Sequence, residues 1–392
     1  MMRRGAWHQF GDRSQRLARE LLAQGSGVGV VISPRDLPHP SARRYAAQYH
    51  DLGAEVLVDQ QFHVPHFSNR NLQSYPTSQY RATASQLHHL TDQQLAGLAE
   101  AMQLVNGNLG VDGVVAPAVV YEAGRPDIVA LNARLFAASK SVGDALGLPT
   151  LATVVLGSSV TSADSTVLTA LSQATALPAD GWYYAFEFPA ERIPSGHDRV
   201  LRCCIAGLTL ACTGKPVLHA YAGPMCLLSF GFGATAAAVG HSQNLWHFTR
   251  RRWGAAAQQG GGGDAPARFF SAALWGTIVH PDETAQLPQH LRNRVLTSSP
   301  YSTPWGRWQA NKHLVHTICS VAAGIASQHD PKRCAEMARS ALSDAVDLHA
   351  QISSIGLSLR DHTNTYQANW MNAIGDLLSG RGSDFDYLEL IS

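Results

Sequence analysis

One feature constrains this chain more than any other: a short apolar run followed by a stretch at helical spacing, repeated in the same order along most of its length. Residues 27–32, 56–59, 111–120, 150–156, 182–188, 216–221 and 236–240 read as strands. Between them, 41–52, a segment opening at Thr91-Asp92-Gln93-Gln94, 126–146, 163–176 and 198–213 read as helices. A short helix is expected at 224–230 and another at 244–253, and 267–278 is expected to supply the last strand or helix. Seven or eight β-then-α units in one register predict a (β/α)8 TIM-like barrel, with a doubly wound open sheet as the alternative.

From Trp308 the pattern turns wholly helical, with Leu, Ile, Val and Ala at helical spacing through Leu378. The expected division is a barrel over 1–306, an α-helical appendage packed on it over 307–380, and a tail over 381–392. The loop from His63 to His89 is far longer than the ~2–6 residues usual after a barrel strand. Such a loop is usually functional or mobile.

Composition narrows the classes. The 392 residues are 45% apolar and 15% charged, which suits a large core, and the formal net charge of +1 gives no global basic field for nucleic acid. Six cysteines at irregular positions form neither a disulfide framework nor a Cys-x-x-Cys pair. With no signal-peptide start and no apolar run near 18 residues, the reading is a soluble, cytoplasmic chain without a membrane partner. The 18 histidines include no His-Glu-x-x-His and no zinc-type quartet, so no metal is expected. Gly231-Phe232-Gly233 and the run at 260–263 lack the strand–turn–helix setting of a dinucleotide fingerprint, and no cofactor is expected.

A barrel gathers the residues at the carboxyl ends of its strands on one face, where ligands bind. Those residues are Arg35 and Asp36; Asp59, Gln60, Gln61 and Phe62; Tyr121 and Glu122; Glu187; His219 and Tyr221; and His241 with Ser242, Gln243 and Asn244. Each also has a plainer reading. Asp59 serves equally to cap a turn, Arg35 and Asp36 to make a local ion pair, and His219 to hydrogen-bond within the core. Glu187 stands between Phe186 and Phe188, so strand alternation sets it opposite two aromatics, where it needs a partner or a raised pKa. Arg250-Arg251-Arg252-Trp253 sets cations beside an aromatic, as a nucleic-acid contact or a solvated helix face.

Three stretches resemble the tRNA-guanine transglycosylases and their DNA-acting deazaguanine relatives. Val58-Asp59-Gln60-Gln61-Phe62 is similar to that family's Asp-Ser-Gly-Gly-Phe. Lys215 to Pro224, with Leu227, Leu228 and Gly233, is similar to its strand-Gly-x-Pro-helix unit. Asn311-Lys312-His313-Leu314-Val315-His316 resembles the helix after its zinc loop. The resemblance implies a pocket for a purine- or deazaguanine-type base, in nucleic acid or as a nucleoside. Asp59 would read the base, Gln60 and Gln61 would supply donors and acceptors, and Phe62 and Tyr121 would stack on it. It leaves Glu187 or His241 as acid, base or replacement nucleophile, because the family's nucleophilic Asp falls in a strand that here reads Ala238-Val239-Gly240-His241-Ser242. The zinc loop's Cys-x-Cys-x-x-Cys is also missing from 298–308. The loop residues Arg70, Tyr75, Tyr80 and Arg81 would cover the pocket or hold a sugar-phosphate strand.

Three functions follow: a transglycosylase-like enzyme; a barrel that has lost catalysis and binds nucleic acid or a protein partner, in a defence system by analogy with the DNA-acting relatives; and an unrelated barrel enzyme using a phosphorylated or flavin ligand. The expected partners extend to a second copy of the chain as a homo-oligomer.

Overall fold

The computed structural model describes residues 2–11, 13–81, 84–188, 193–242, 245–253, 267–296, 305–360 and 366–380. Eight strands form one sheet: β1 (Gly5–Gln9), β2 (Gly29–Ile32), β3 (Glu55–Val58), β4 (Val114–Val115), β5 (Thr150–Leu156), β6 (Gly181–Phe186), β7 (Val217–His219) and β8 (Ala236–Val239). Their order is β3-β2-β1-β8-β7-β6-β5-β4, and every paired neighbour is parallel. Asp112 closes most of the remaining gap. Its backbone N–H donates to the Val56 carbonyl at 2.9 Å, and its carboxylate accepts from the Val56 N–H at 2.6 Å. The (β/α)8 barrel expected from the couplets is the fold, and the open sheet is excluded.

Residues at alternate positions fill the barrel axis: Trp7, Val31, Leu57, Val115, Val155, Tyr183, Leu218 and Ala238 belong to one buried cluster. Gly29 is required there, since a Cβ would come within 2.6 Å of the Trp7 ring.

The outer layer runs α1 (Ser14–Leu22), α2 (His39–Asp51), α3 (Arg70–Gln73), α4 (Ala84–Leu87), α5 (Asp92–Leu109), α6 (Pro126–Leu146), α7 (Asp164–Thr175), α8 (His197–Ala211) and α9 (Cys226–Ser229). Helix α5 starts at the expected place because Thr91 and Gln94 form a reciprocal capping box, and it ends at Gly110 with φ 60°.

Four expectations are corrected. The first strand is Gly5–Gln9, so the run at 27–32 forms the second. The run at 111–120 contributes only Val114–Val115 to the ladder, with an isolated bridge at Tyr121. The segment expected as a last barrel strand or helix forms an antiparallel hairpin apart from the barrel, β9 (Arg268–Ser271) and β10 (Gly276–Val279). In place of a helix over 244–253, the described residues 245–253 form no α-helix and end in a 3-10 turn, Arg250–Trp253; residues 243 and 244 lie outside the described residues.

The remaining elements are α10 (Gln289–Val295), α11 (Arg307–Ala326), α12 (Pro331–Ser354) and α13 (Tyr366–Leu378). No long helix directly follows β8 among the described residues, and α11 takes that place against β1 and β8. Arg4 fastens it there by donating to the carbonyls of Ala326, Gln328 and Ala234. Helix α13 covers α8, and its Trp370 indole donates to the Pro194 carbonyl at 2.6 Å. The C-terminal helices therefore pack on the barrel. The hairpin and α10 share a satellite core with α12 through Phe269, Ile278, Leu291, Leu348 and Ile352. The tail at 381–392 lies outside the described residues. No helix among the described residues is long and apolar enough to cross a membrane, and the six cysteines are free thiols.

Candidate functional site

The carboxyl ends of the strands hold two polar networks, one on Asp59 and one on Glu187. Asp59 follows β3 and points inward by alternation with Leu57; it is 2% exposed. Its Oδ1 accepts the Gln61 N–H at 2.8 Å, closing a turn in which Gln61 has φ +57°. Its Oδ2 accepts the phenols of Tyr183 and Tyr221, each at 3.0 Å. The His63 Nδ1 stands 3.8 Å from Oδ1, beyond hydrogen-bond reach. Burial raises the Tyr183 phenol well above its ordinary pKa, and the Asp59 charge adds to that, so it stays a donor.

Gln60 and Gln61 do not converge on Asp59's free side. The Gln61 amide donates to Ser33 Oγ at 2.7 Å and accepts from the Arg35 N–H at 3.2 Å, joining the loops after β2 and β3. Ser33 donates in turn to Asp36 at 2.7 Å. The Gln60 side-chain oxygen accepts from Thr77 at 3.0 Å, and its nitrogen is buried without a hydrogen bond. Arg35 lies over the rings of Phe67 and Trp253, its guanidinium carbon 5.0 and 4.6 Å from their centroids.

Two side chains given stacking roles are turned away from the mouth. The left-handed turn at Gln61 sends Phe62 into the layer between sheet and helices, with Leu87, Leu90 and Leu98. Tyr121 packs with Phe136 and Phe186 and borders a cleft of about 150 Å³ beside Glu122 and Arg125. The long loop also folds onto itself. Arg81 donates to the carbonyls of Gln60 and Val64 at 2.8 and 2.9 Å, and Tyr75 donates to that of Leu37 at 2.9 Å. Both hold the loop down in place of reaching for a strand of phosphates.

Glu187 follows β6, on the same side as Tyr183 and Ala185. Its carboxylate accepts the Ser158 N–H at 2.9 Å, the Arg250 N–H at 3.1 Å, and a bidentate pair from the Arg250 guanidinium at 2.8–3.1 Å. Arg250 also donates to Glu122, which accepts from the Ser159 hydroxyl. Burial alone would raise the Glu187 pKa; the bonds from Arg250 overcome it and hold the carboxyl below its usual range. Glu187 is thus a locked anion. Arg250 is spent within the molecule, Arg251 is exposed, and the Arg252 side chain lies outside the described residues.

His241 follows β8. A Cβ on Gly11, just past β1, would meet its ring at 3.5 Å, which sets it at the β1–β8 rim. His219 is a core histidine: Nδ1 meets Ser229 Oγ at 2.8 Å, its ring stacks on Tyr184, and burial lowers its pKa to about 3.

A strap over 245–253 joins the two networks across the mouth. The Phe248 carbonyl pairs with the Phe188 N–H, and its ring packs on Tyr221 at 5.7 Å and His63 at 5.1 Å. Trp253 meets His63 and Phe67 edge-on at 5.8 and 5.3 Å. The residues that sequence reading passed over are Gln9, Ser158, Tyr183 and Phe248. Tyr183 was within reach, since it shares a face with Glu187 at a spacing of four. Phe248 was not, because the strap has no periodicity.

These features define the chain as a (β/α)8 barrel with a buried, acid-centred mouth. No family model matches the sequence, and no curated protein matches it. Among solved structures, an L-ribulose 3-epimerase is similar over 83% of this chain and 96% of its own, at 11% identity and TM-score 0.37. A xylose isomerase domain protein from Planctomyces limnophilus is similar over 61% of this chain and 90% of its own, at 11% identity and TM-score 0.34.

Proposed function

We propose that this barrel recognises a planar, N–H-rich heterocycle of the purine or deazaguanine type at its carboxyl-end mouth, and that it binds the base without exchanging it covalently. The observation that carries this reading is the Asp59 carboxylate. Burying a charge costs several kcal/mol, and apolar replacements of buried ionic groups are often neutral or stabilising. A purely structural site has little need of one. Two phenols and one backbone N–H take three of the roughly four lone-pair directions of a carboxylate. By that count one direction on Oδ1, the side on which the His63 Nδ1 stands 3.8 Å away, is left for a ligand N–H to take. The rings of Tyr221, His63, Phe248 and Trp253 beside it offer flat apolar walls.

Binding in preference to exchange is supported by the state of the acids. Glu187 and Glu122 are held by Arg250, and the end of β8 carries Gly240-His241 where the resembling family keeps its nucleophile. Where the base belongs to a nucleic acid, the exposed Arg251 is a cation of the Arg-Arg-Arg run that could meet a phosphate, and affinity would fall with added salt.

The test is calorimetric titration of the wild type, Asp59→Asn and Tyr221→Phe with guanine, 7-deazaguanine and a short guanine-containing oligonucleotide. The wild type is expected to bind at least one probe, and each variant to bind it at least tenfold more weakly, about 1.4 kcal/mol. Failure of the wild type to bind any probe would overturn the reading, as would affinities unchanged in both variants.

A further inference from the structure

We infer that Gln9 is a ligand-pairing residue of this mouth, its carboxamide matched to a ligand edge that carries a donor and an acceptor side by side. The inference rests on the base-binding reading above and extends it to a residue on β1.

Gln9 is the last residue of β1. Alternation with Trp7, which fills the barrel axis, turns its side chain inward, and the Phe10 N–H bond to the Val31 carbonyl at 3.1 Å keeps that register to the strand's end. The side chain ends beside the Tyr183 hydroxyl, one of the two phenols on Asp59. It is 1% exposed, yet neither its nitrogen nor its oxygen makes a hydrogen bond of ordinary geometry.

Buried polar groups are almost always paired, and one left unpaired carries its full desolvation cost. A leucine at position 9 would have similar volume and no such cost. An amide held in this place with only the Tyr183 hydroxyl nearby, and no bond of ordinary geometry to it, is accounted for when a better-placed partner arrives from outside. A carboxamide presents one N–H and one carbonyl in a plane, and the complementary edge is a lactam, whose ring N–H and exocyclic C=O lie next to each other. Guanine and 7-deazaguanine have that edge; 2-aminopurine lacks the C6 carbonyl and the N1–H that form it.

The experiment is to titrate the wild type, Gln9→Leu and Gln9→Asn with guanine, 7-deazaguanine and 2-aminopurine, and to record the thermal midpoint of each protein. The wild type is expected to prefer the lactam bases over 2-aminopurine at least tenfold. Gln9→Leu is expected to lose most of that preference while melting at the same temperature or higher. Gln9→Asn, which withdraws the amide by one methylene, is expected to lose it without the change to an apolar side chain. Lactam preference retained within twofold in both variants overturns the assignment while leaving the base-binding reading intact, provided that Tyr221→Phe still weakens binding. A wild type that binds none of the three bases overturns both. Should Gln9→Leu fail to fold, Gln9→Asn decides the matter alone.

Discussion

Arg250 shows how a residue's role is set by what it touches and not by its neighbours in sequence. Within an Arg-Arg-Arg-Trp run it reads as a nucleic-acid contact, yet its guanidinium spans Glu187 and Glu122 at the barrel mouth. The Glu187 side chain is almost fully buried while that of Arg250 is about one-third exposed, so solvent screens part of the pair. Removing the Arg250 side chain takes away the guanidinium and leaves a buried carboxylate with only the backbone N–H groups of residues 158 and 250 as donors. Arg250→Ala is therefore expected to lower stability by about 2 kcal/mol, read as a shift of the urea midpoint. Adding Glu187→Gln to that variant should restore at least half the loss, because the stranded charge is gone. A double variant no more stable than the single one would mean that the pair is not what holds the strap.

At the scale of the element, the strap over 245–253 lies where it does because glycines leave room beneath it. A Cβ on Gly240 would fall 2.1 Å from the Leu245 Cβ, and one on Gly223, with φ +49°, would fall 2.4 Å from the Trp246 Cα. Gly240→Ala must push the strap outward and is expected to cost about 2 kcal/mol by overpacking. The emission of the buried Trp246 and Trp253 should shift to the red; unchanged fluorescence and stability would show that the strap does not sit on this glycine.

Nothing in the order of amino acids announced the strap. Strand β5 was legible because Thr150–Leu156 is a continuous apolar run, buried at every position. Strand β1 was missed because Trp-His-Gln breaks its apolar run, although alternation hides a real strand there. The hairpin β9–β10 has the same apolar look as a barrel strand, and only its antiparallel pairing, a contact between distant residues, tells it apart. Asp59 was legible as a strand-end acid. Phe62, three residues on, was misdirected because a positive φ at Gln61 reverses the alternation that sequence reasoning assumes.

The whole molecule carries buried neutral histidines in both the barrel and the C-terminal helices. Burial lowers His8, His313 and His349 to about 4 and His219 to about 3, from an ordinary value of 6.5. In the unfolded chain these rings take up protons at higher pH than in the folded one. Their contribution is thus complete above about pH 6.5 and is lost as pH falls toward about 4. At 1.36 kcal/mol per unit, a fully buried ring such as His8 accounts for roughly 3 kcal/mol. Glu187, held low in the folded state, loses its contribution in the same direction on further acidification. Stability should therefore be level near neutrality and fall steeply below about pH 6, and a flat urea midpoint between pH 7 and pH 4.5 would contradict it. The central proposal is that the acid-centred mouth, with Asp59 and the Gln9 amide, takes a base. A crystal structure of the protein soaked with 7-deazaguanine tests it most directly. The ring is expected at the carboxyl ends of the strands, with an N–H on Asp59 Oδ1 and its lactam edge on Gln9; no base at Asp59, or the base bound elsewhere on the molecule, would contradict the proposal.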